Sequence, residues 1–525
     1  MSTIVGNRTL RQLLEYRVAT IPDEPFVIYD DLEGGVTRLS YAMFDAQVNR
    51  TANVLRALGV SKGDKINIHL PNCLEFLYLW FGAAKIGAVM VPTNILSVPA
   101  ELEYLIGHSE SRFIFTQARY LATINEVRQQ CPMVERVIIC GERALSQDVL
   151  DFGSLLAEHS AVAPAAEITP LDDVSILYTS GTTSRPKGVQ VTNANYIYAG
   201  ETVAKAIRLA PDDRHYIVLP LFHANAQYYS TMSALVAGAS IVLMARFSAS
   251  SYFDSCIAHN CTVGSLFAAP IRMILAQEWR PEHHSNKLRV VLTAQNVTAA
   301  QLDEWVERFA APLLQLYGMT ETMGPPLMNP MDYERKNLSI GLPVLGYEVK
   351  LVDEDGKAVP QGQIGQILVF GRPGWSIMNG YYKNSEATAQ TIREGWIWTG
   401  DNAYQDSAGY FHFVERAKDM IKRAGENVAA SEVEGVILQH PKVFDCAVIG
   451  IPDPLRDEAI KAFVVLHEHE QATDNEIIEW CSARLAKFRV PEFVEFTPEL
   501  PRTSVGKIQK HVLRRQEGEK KNSSL

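Results

Sequence analysis

No stretch of the chain is both long and apolar enough to cross a bilayer. The most membrane-like run, Phe76 to Val91, carries Lys85 near its centre and two glycines and is followed by Pro92. It falls short of the ~20 residues a span needs, and reads as a core helix leading into a buried strand. Residues 1–20 interleave Arg8, Arg11, Glu15 and Arg17 with apolar positions, so they form no signal-peptide core. A cytoplasmic protein with no integral membrane association is the expectation. Basic charge is also scarce: 49 Lys and Arg against 60 Asp and Glu leave a net charge of −11. A surface that grips nucleic-acid phosphates needs a dense basic face, and none is present; Lys520 and Lys521 read as part of a solvated tail. Cysteine is sparse and odd in number, seven residues at scattered positions. That pattern excludes a disulfide framework and suggests free thiols in a reducing compartment. Cys256-Ile-Ala-His-Asn-Cys261 lacks the paired Cys-x-x-Cys spacing of a structural zinc site.

The 525 residues suffice for two to four domain-sized units. Up to about residue 310 the pattern alternates strand and helix. Leu39–Leu58 has helical spacing and ends near Gly59, while Lys65–His69 and Ala88–Pro92 read as strands. This rhythm predicts layered α/β sheets covered by helices. Residues 159–167 read as a surface linker. From Tyr347 to Val414 short alternating runs are punctuated by Asp355-Gly356 and Ser407-Ala408-Gly409, which is hairpin chemistry and predicts a β-rich section. The remainder predicts a small α+β unit, with helices near 431–438 and 475–485 and strands near 446–449 and 462–466. The fold class is therefore α/β and α+β, multidomain.

The densest chemistry lies in Val174-Ser-Ile-Leu-Tyr-Thr-Ser-Gly-Thr-Thr-Ser-Arg-Pro-Lys-Gly-Val189. An apolar strand runs into a loop of hydroxyls and glycine, then a lysine. Gly181 permits close backbone approach, Ser180, Thr182 and Thr183 offer donors, and successive N–H groups can hold an anion. Lys187 adds a point charge suited to phosphate. This is not the Walker pattern, because no Gly-Lys-Ser/Thr follows.

The full string resembles the phosphate-loop signature of the adenylate-forming superfamily, which includes acyl-CoA synthetases, peptide-synthetase adenylation domains and firefly luciferase. The resemblance recurs in order along nearly the whole chain. Tyr317-Gly-Met-Thr-Glu321, Trp398-Thr-Gly-Asp401, Pro220-Leu-Phe-His223 and Pro501-Arg-Thr-Ser-Val-Gly-Lys507 each resemble a further family motif. What the resemblance implies is an ATP-dependent acyl-CoA synthetase, with ATP, Mg²⁺ and coenzyme A as cofactor or substrate and a small carboxylic acid as partner. ATP or AMP would be held by Thr179, Ser180, Gly181, Thr182, Thr183, Lys187, Tyr317, Gly318, Met319, Thr320, Asp401, Arg416 and Lys507. Lys507, Thr320 and Glu321 would be catalytic, and Glu321 would also hold the metal. The family pattern further implies an adenylation domain over 1–415, a hinge over 416–419 that matches at Lys418, and a mobile domain over 420–525. Lys422 to Gly425 would border the thiol tunnel. A homodimer is compatible with all of this.

Within the superfamily the chain closely resembles bacterial carnitine/crotonobetaine-CoA ligases, which share the phosphate-loop string and Arg456-Asp-Glu-Ala-Ile-Lys-Ala-Phe-Val464. One departure concerns the acyl pocket. Where many relatives carry Gly-Gly-Ala-Pro-Leu, this chain has Thr293-Ala-Gln-Asn-Val297. Side chains at Thr293 and Ala294 would narrow the pocket, and Gln295 and Asn296 would add hydrogen-bonding groups. Asn225 and Gln227, just after His223, point the same way, toward a short or polar acid. A second reading stays open, in which these amides face solvent or satisfy backbone groups and His223 is structural. Two other functions share the scaffold: transfer to a carrier-protein phosphopantetheine, and non-catalytic nucleotide sensing. A sensor is expected to have lost Glu321 or Lys507, and both are present.

Overall fold

Short, wholly buried runs such as Ser240–Met244 and Val290–Val291 suit strands covered on both faces, and that is how they pack. The computed structural model describes residues 2–141, 149–179, 185–294, 297–416, 419–423, 426–453, 457–502 and 508–522. These fall into two compact units, one comprising Met1–Gly181, Arg185–Val349 and Val369–Ile397, the other Lys350–Leu368 and Trp398–Leu525.

Two large sheets build the first unit. One has nine strands, with a parallel centre ordered 313–319, 290–294, 263–267, 214–217, 240–244 and 25–30, and antiparallel strands at its edges. The other has eight, with a parallel run 173–179, 89–92, 65–69, 113–116, 136–139 and 150–151, and strands 187–192 and 380–381 added antiparallel. On one face of the nine-stranded sheet, Leu266 and Val291 pack with Trp305, Phe253 and Phe309 in an apolar cluster. Each such side chain contributes about 1.5–3 kcal/mol when fully buried.

Local chemistry sets the element ends. The helical spacing read from Leu39 begins two residues later than expected: the chain stays extended through Ser40, whose hydroxyl accepts from the Met43 N–H and starts helix Tyr41–Ala57. A serine N-cap outweighs the apolar periodicity as a boundary. Gly59, at φ 85°, then turns the chain out of the helix. The Phe76–Val91 run is the buried helix Leu74–Ile86, stopped by Gly87 at φ 77°, followed by strand Val89–Pro92. Among the described residues no helix is long and apolar enough to cross a membrane, and all seven cysteines are buried free thiols.

In the second unit, Val443–Asp453 and Asp457–Leu466 form a long antiparallel pair, and Phe493–Phe496 runs parallel beside the latter. Helices Ala430–Ile437 and Asp474–Ser482 cover one face, with Val433, Ile437, Ile477, Val448 and Ile460 buried between. The strands extend well beyond the expected short runs because each supplies the other's hydrogen bonds along its full length.

The helix Leu74–Ile86 carries one charge into the core. Lys85 is 1% exposed, with its ammonium 2.5 Å from Asp45 Oδ1 and 2.6 Å from Asn49 Oδ1. Asn49 Nδ2 in turn donates to Asp45 Oδ2 at 2.9 Å. Removing one partner of such a pair leaves a buried charge uncompensated, at a cost of about 3–5 kcal/mol, whereas replacing the pair by apolar groups is often neutral. Glu15 Oε1, 3.7 Å from the ammonium, would remain, so Asp45→Ala should destabilise the protein by the lower end of that range, roughly 3 kcal/mol in urea unfolding, and adding Lys85→Met to that variant should recover most of the loss.

Candidate active site

Parallel strands all finish at the same edge of a sheet, and ligands in open α/β sheets bind outside their carboxyl ends. In the nine-stranded sheet Phe267 stands opposite Ala294 and Thr293 opposite Gln315, so strands far apart in sequence end level with one another. The turn Leu219–His223, Ala294 and the segment Tyr317–Glu321 consequently share one edge.

Strand Leu313–Met319 ends in a tight 3₁₀ turn over Thr320–Thr322. The Met319 N–H donates to the Thr322 hydroxyl at 3.1 Å, and that hydroxyl donates to the Gly324 carbonyl at 2.8 Å. Tyr347 Oη donates to the carbonyl of Met323, which sits at φ 52°. Gly318 has no substitute here: a Cβ would lie 2.7 Å from Tyr229 Oη and 2.8 Å from the Gly324 carbonyl oxygen. The turn leaves Thr320 half-buried and Glu321 buried.

Glu321 is held by a residue that no sequence motif singled out. Tyr381 Oη donates to Glu321 Oε1 at 2.8 Å, and the Met378 N–H donates to the Glu321 carbonyl at 2.9 Å. Burial first, and then the Glu321 charge, keep the Tyr381 hydroxyl well above the usual phenol value, so it remains a donor. Lys187 Nζ lies 4.8 Å from the centre of the same ring, a cation–π contact. Tyr381 reaches this position because Gly380–Tyr381 pairs antiparallel with Gln190 and Val189 on the strand that begins at Lys187. That strand also pairs with Asp173–Thr179, placing Lys187 opposite Thr179. Thus Lys187 and Glu321 converge on one tyrosine, with Thr179 beside Lys187 on the next strand.

The acyl-side candidates separate. His223 and Asn225 are half-buried, and Ser265 Oγ donates to Asn225 Oδ1 at 2.9 Å. Ser265 stands opposite Leu292, so Thr293, opposite Leu266, faces the other side of the sheet. The Thr293 hydroxyl is buried with no hydrogen-bond partner among the described residues. Gln227 is fully buried in a π-helical stretch Asn225–Met232, with both ends of its amide engaged.

Among the described residues, three candidates belong to the second unit. Asp401 is buried on strand Trp396–Gln405, and the backbone of Arg416 stands directly opposite it on the neighbouring strand. The Asp401 N–H donates to the Thr399 hydroxyl at 3.1 Å, which donates to the Ile367 carbonyl at 2.7 Å. Lys422 is exposed, with its N–H bonded to Glu458 Oε2 at 2.7 Å. Just before Arg416, Glu415 accepts from the Ser431 N–H at 2.9 Å and lies 3.6 Å from Lys510 Nζ. Burial opposes the charge on Lys510, but Glu434 and then Glu415 outweigh it and hold the amine above its ordinary value. Ser180, Gly181, Thr182, Thr183, Gln295, Asn296, Lys418, Gly425 and Lys507 lie outside the described residues.

A hydrogen bond to a charged group is worth about 1.5–3 kcal/mol. Tyr381→Phe removes that bond from Glu321 while keeping the ring beside Lys187. It should lower ATP-dependent pyrophosphate release roughly 10- to 100-fold with little change in melting temperature, as a coupled pyrophosphate assay and a thermal melt on one preparation would show.

Residues 14–382 match the AMP-binding enzyme family, and 432–507 match the AMP-binding enzyme C-terminal domain. Crotonobetaine/carnitine–CoA ligases of Salmonella typhimurium and Salmonella typhi are 39% and 40% identical to the chain, over 97% of it and the whole of each relative. Among solved structures, the anthranilate CoA ligase AuaEII in complex with anthranoyl-AMP is similar at 28% identity and a TM-score of 0.91, covering 99% of this chain and 98% of that one. A benzoate CoA ligase from Burkholderia xenovorans is similar at 27% identity and a TM-score of 0.86, with 97% and 100% covered. With a family signature spanning most of its length, on the sheets and turn described above, this chain belongs to the AMP-binding enzyme family.

Proposed function

We propose that the protein is an AMP-forming acyl-CoA synthetase, joining a carboxylic acid to coenzyme A through an acyl-adenylate. The observation that carries this reading is the Tyr317–Glu321 turn at the carboxyl edge of the sheet, with Glu321 buried and aimed by Tyr381 and with Lys187 against the same ring. The relatives agree in class: the Salmonella proteins are named for joining crotonobetaine or carnitine to CoA, and the similar structures for doing so with anthranilate or benzoate.

A carboxylate is a poor electrophile because its charge repels nucleophiles and oxide is a very poor leaving group. In the first step an oxygen of the acid attacks the α-phosphorus of ATP, the bond from that phosphorus to the bridging oxygen breaks, and pyrophosphate leaves. In the second, the CoA thiolate attacks the acyl carbon, and AMP leaves with the electrons of the carbon–oxygen bond. Negative charge crowds the α-phosphate in the first transition state, and the groups assigned to meet it are Lys507, the Thr320 hydroxyl and Lys187. Tyr317 would stack on adenine, and Asp401 with Arg416 would bind the ribose.

Glu321 is the residue that would hold Mg²⁺. A single buried carboxylate suits an ion that keeps waters and substrate phosphate oxygens and takes one or two carboxylates from the protein. When bound, the ion neutralises phosphate charge. On the acyl side, the half-buried amide of Asn225, two residues after His223, is the group that would favour a short or polar acid over a long fatty chain.

With ATP, Mg²⁺, CoA and a panel of acids, the expected products are AMP, pyrophosphate and a thioester that forms only when CoA is present. Release of ADP and phosphate would overturn the adenylate mechanism. Short or polar acids should exceed long-chain fatty acids in kcat/KM by at least about tenfold, the scale of one or two pocket contacts. Lys507→Ala should cut adenylation by about 100-fold or more while leaving thioester formation from synthetic acyl-adenylate largely intact.

A further inference from the structure

Ser175, Tyr196, Gln227 and Asn72 stand at four distant points of the chain, and none is more than 5% exposed. They are linked end to end. Ser175 Oγ lies 2.7 Å from Tyr196 Oη, and Tyr196 Oη donates to Gln227 Oε1. Gln227 Nε2 donates to the Leu221 carbonyl at 2.7 Å, and the Leu221 N–H donates to Asn72 Oδ1 at 2.8 Å. Asn72 Nδ2 closes the series with bonds to the carbonyls of Leu219 at 3.1 Å and Met244 at 3.0 Å. Every member has a defined polarity. Tyr196 can donate to Gln227 only if Ser175 donates to Tyr196, and each amide has its oxygen facing a donor and its nitrogen facing carbonyls. Hydrogen bonds aligned in this way polarise one another in a low-dielectric interior.

One end, Ser175, is a strand residue of the eight-stranded sheet, while Tyr196 lies on helix Asn193–Ala206 and Gln227 on the π-helical stretch that follows strand 214–217 of the nine-stranded sheet. Ser175 lies on strand Asp173–Thr179, which leads into the hydroxyl-rich loop. Asn72 follows strand Lys65–His69 of the same sheet. Between them the bonds grip the backbone of the Leu219–His223 turn at Leu219 and at both polar groups of Leu221. The His223 N–H bonds to the Pro220 carbonyl at 3.1 Å, so His223 moves with that turn.

We propose that this buried series of bonds is a positioning brace: Asn72, Gln227 and Tyr196 set the place of the His223 turn relative to the strand that delivers the phosphate loop, and so the distance from the acid to the α-phosphate. The inference rests on the acyl-adenylate reading of the site. It makes Gln227 a positioning residue that does not touch the acid, since both ends of its amide are spent within the core. A misplacement of about 1 Å can cost 10²-fold in rate, so the loss of one bond acts on turnover while the bound nucleotide keeps its contacts.

The test uses the full-length chain with Tyr196→Phe, Gln227→Met and the double variant, assayed well below their melting temperatures against the same panel of acids. Tyr196→Phe deletes a single oxygen and keeps the ring packed on Trp80 and Tyr228, so it carries the test if Gln227→Met fails to fold. The expected result is a fall in kcat for adenylation of roughly 10- to 100-fold, by the same factor for every acid, with KM for ATP unchanged. The double variant should be no worse than the poorer single one. A changed rank order of acids with Gln227→Met would overturn the proposal by making Gln227 a direct acyl contact. Independent, multiplying losses, or full activity in folded Tyr196→Phe, would overturn it as well. A wild-type chain that releases no AMP with any acid would instead overturn the reaction itself, and the brace with it.

Discussion

Parallel pairing in the nine-stranded sheet is the constraint on which the site depends. The register that sets Phe267 beside Ala294 and Thr293 beside Gln315 makes strands from separate parts of the chain end at one level. A chain reversal must follow each strand there, and those reversals carry the chemistry: Pro220–His223 after one, Tyr317–Glu321 after another. Parallel strands need covered faces and long crossovers, which is why the helices are apolar and why the site residues lie tens to hundreds of positions apart.

Around that edge most of the described polar groups named above have partners. Glu321 is met by Tyr381, Asn225 by Ser265, Gln227 by Tyr196 and Leu221, and Asn72 by three backbone groups. Each group would cost about 1–3 kcal/mol if left buried without a partner, so these contacts fix geometry as much as they add stability. The hydroxyl of Thr293 is an exception among the described residues, and it faces the side of the sheet that carries the Leu266 and Val291 cluster.

The second unit uses charge for a similar end. Lys510 is half-buried between Glu434 and Glu415, and Arg514 reaches Asp419 at 2.8 Å. Helix Lys510–Asn522 is thereby tied to the strand that ends at Arg416 and to the residues that follow it. An antiparallel bridge between Arg502 and Ile508, with Arg502 paired to buried Asp445, holds both flanks of the segment that ends in Lys507.

Much of this was legible in the sequence. The Tyr-Gly-Met-Thr-Glu turn and the hairpin-rich stretch are local, and local strings carry their own turn chemistry and hydrogen-bonding groups. The alternation of strand and helix is likewise set by the spacing of apolar residues, and it determined the α/β class. Tyr381, Tyr196 and Asn72 were not legible, because nothing near them in the chain marks a tyrosine or an asparagine as special. Their roles depend on a partner 60, 31 and 149 positions away, respectively, brought close by sheet register. The side of the sheet on which Thr293 falls was equally out of reach, since a shift of one residue in pairing would reverse it. Composition and motif determined what chemistry this protein carries; which groups aim that chemistry was decided only when the strands took their register.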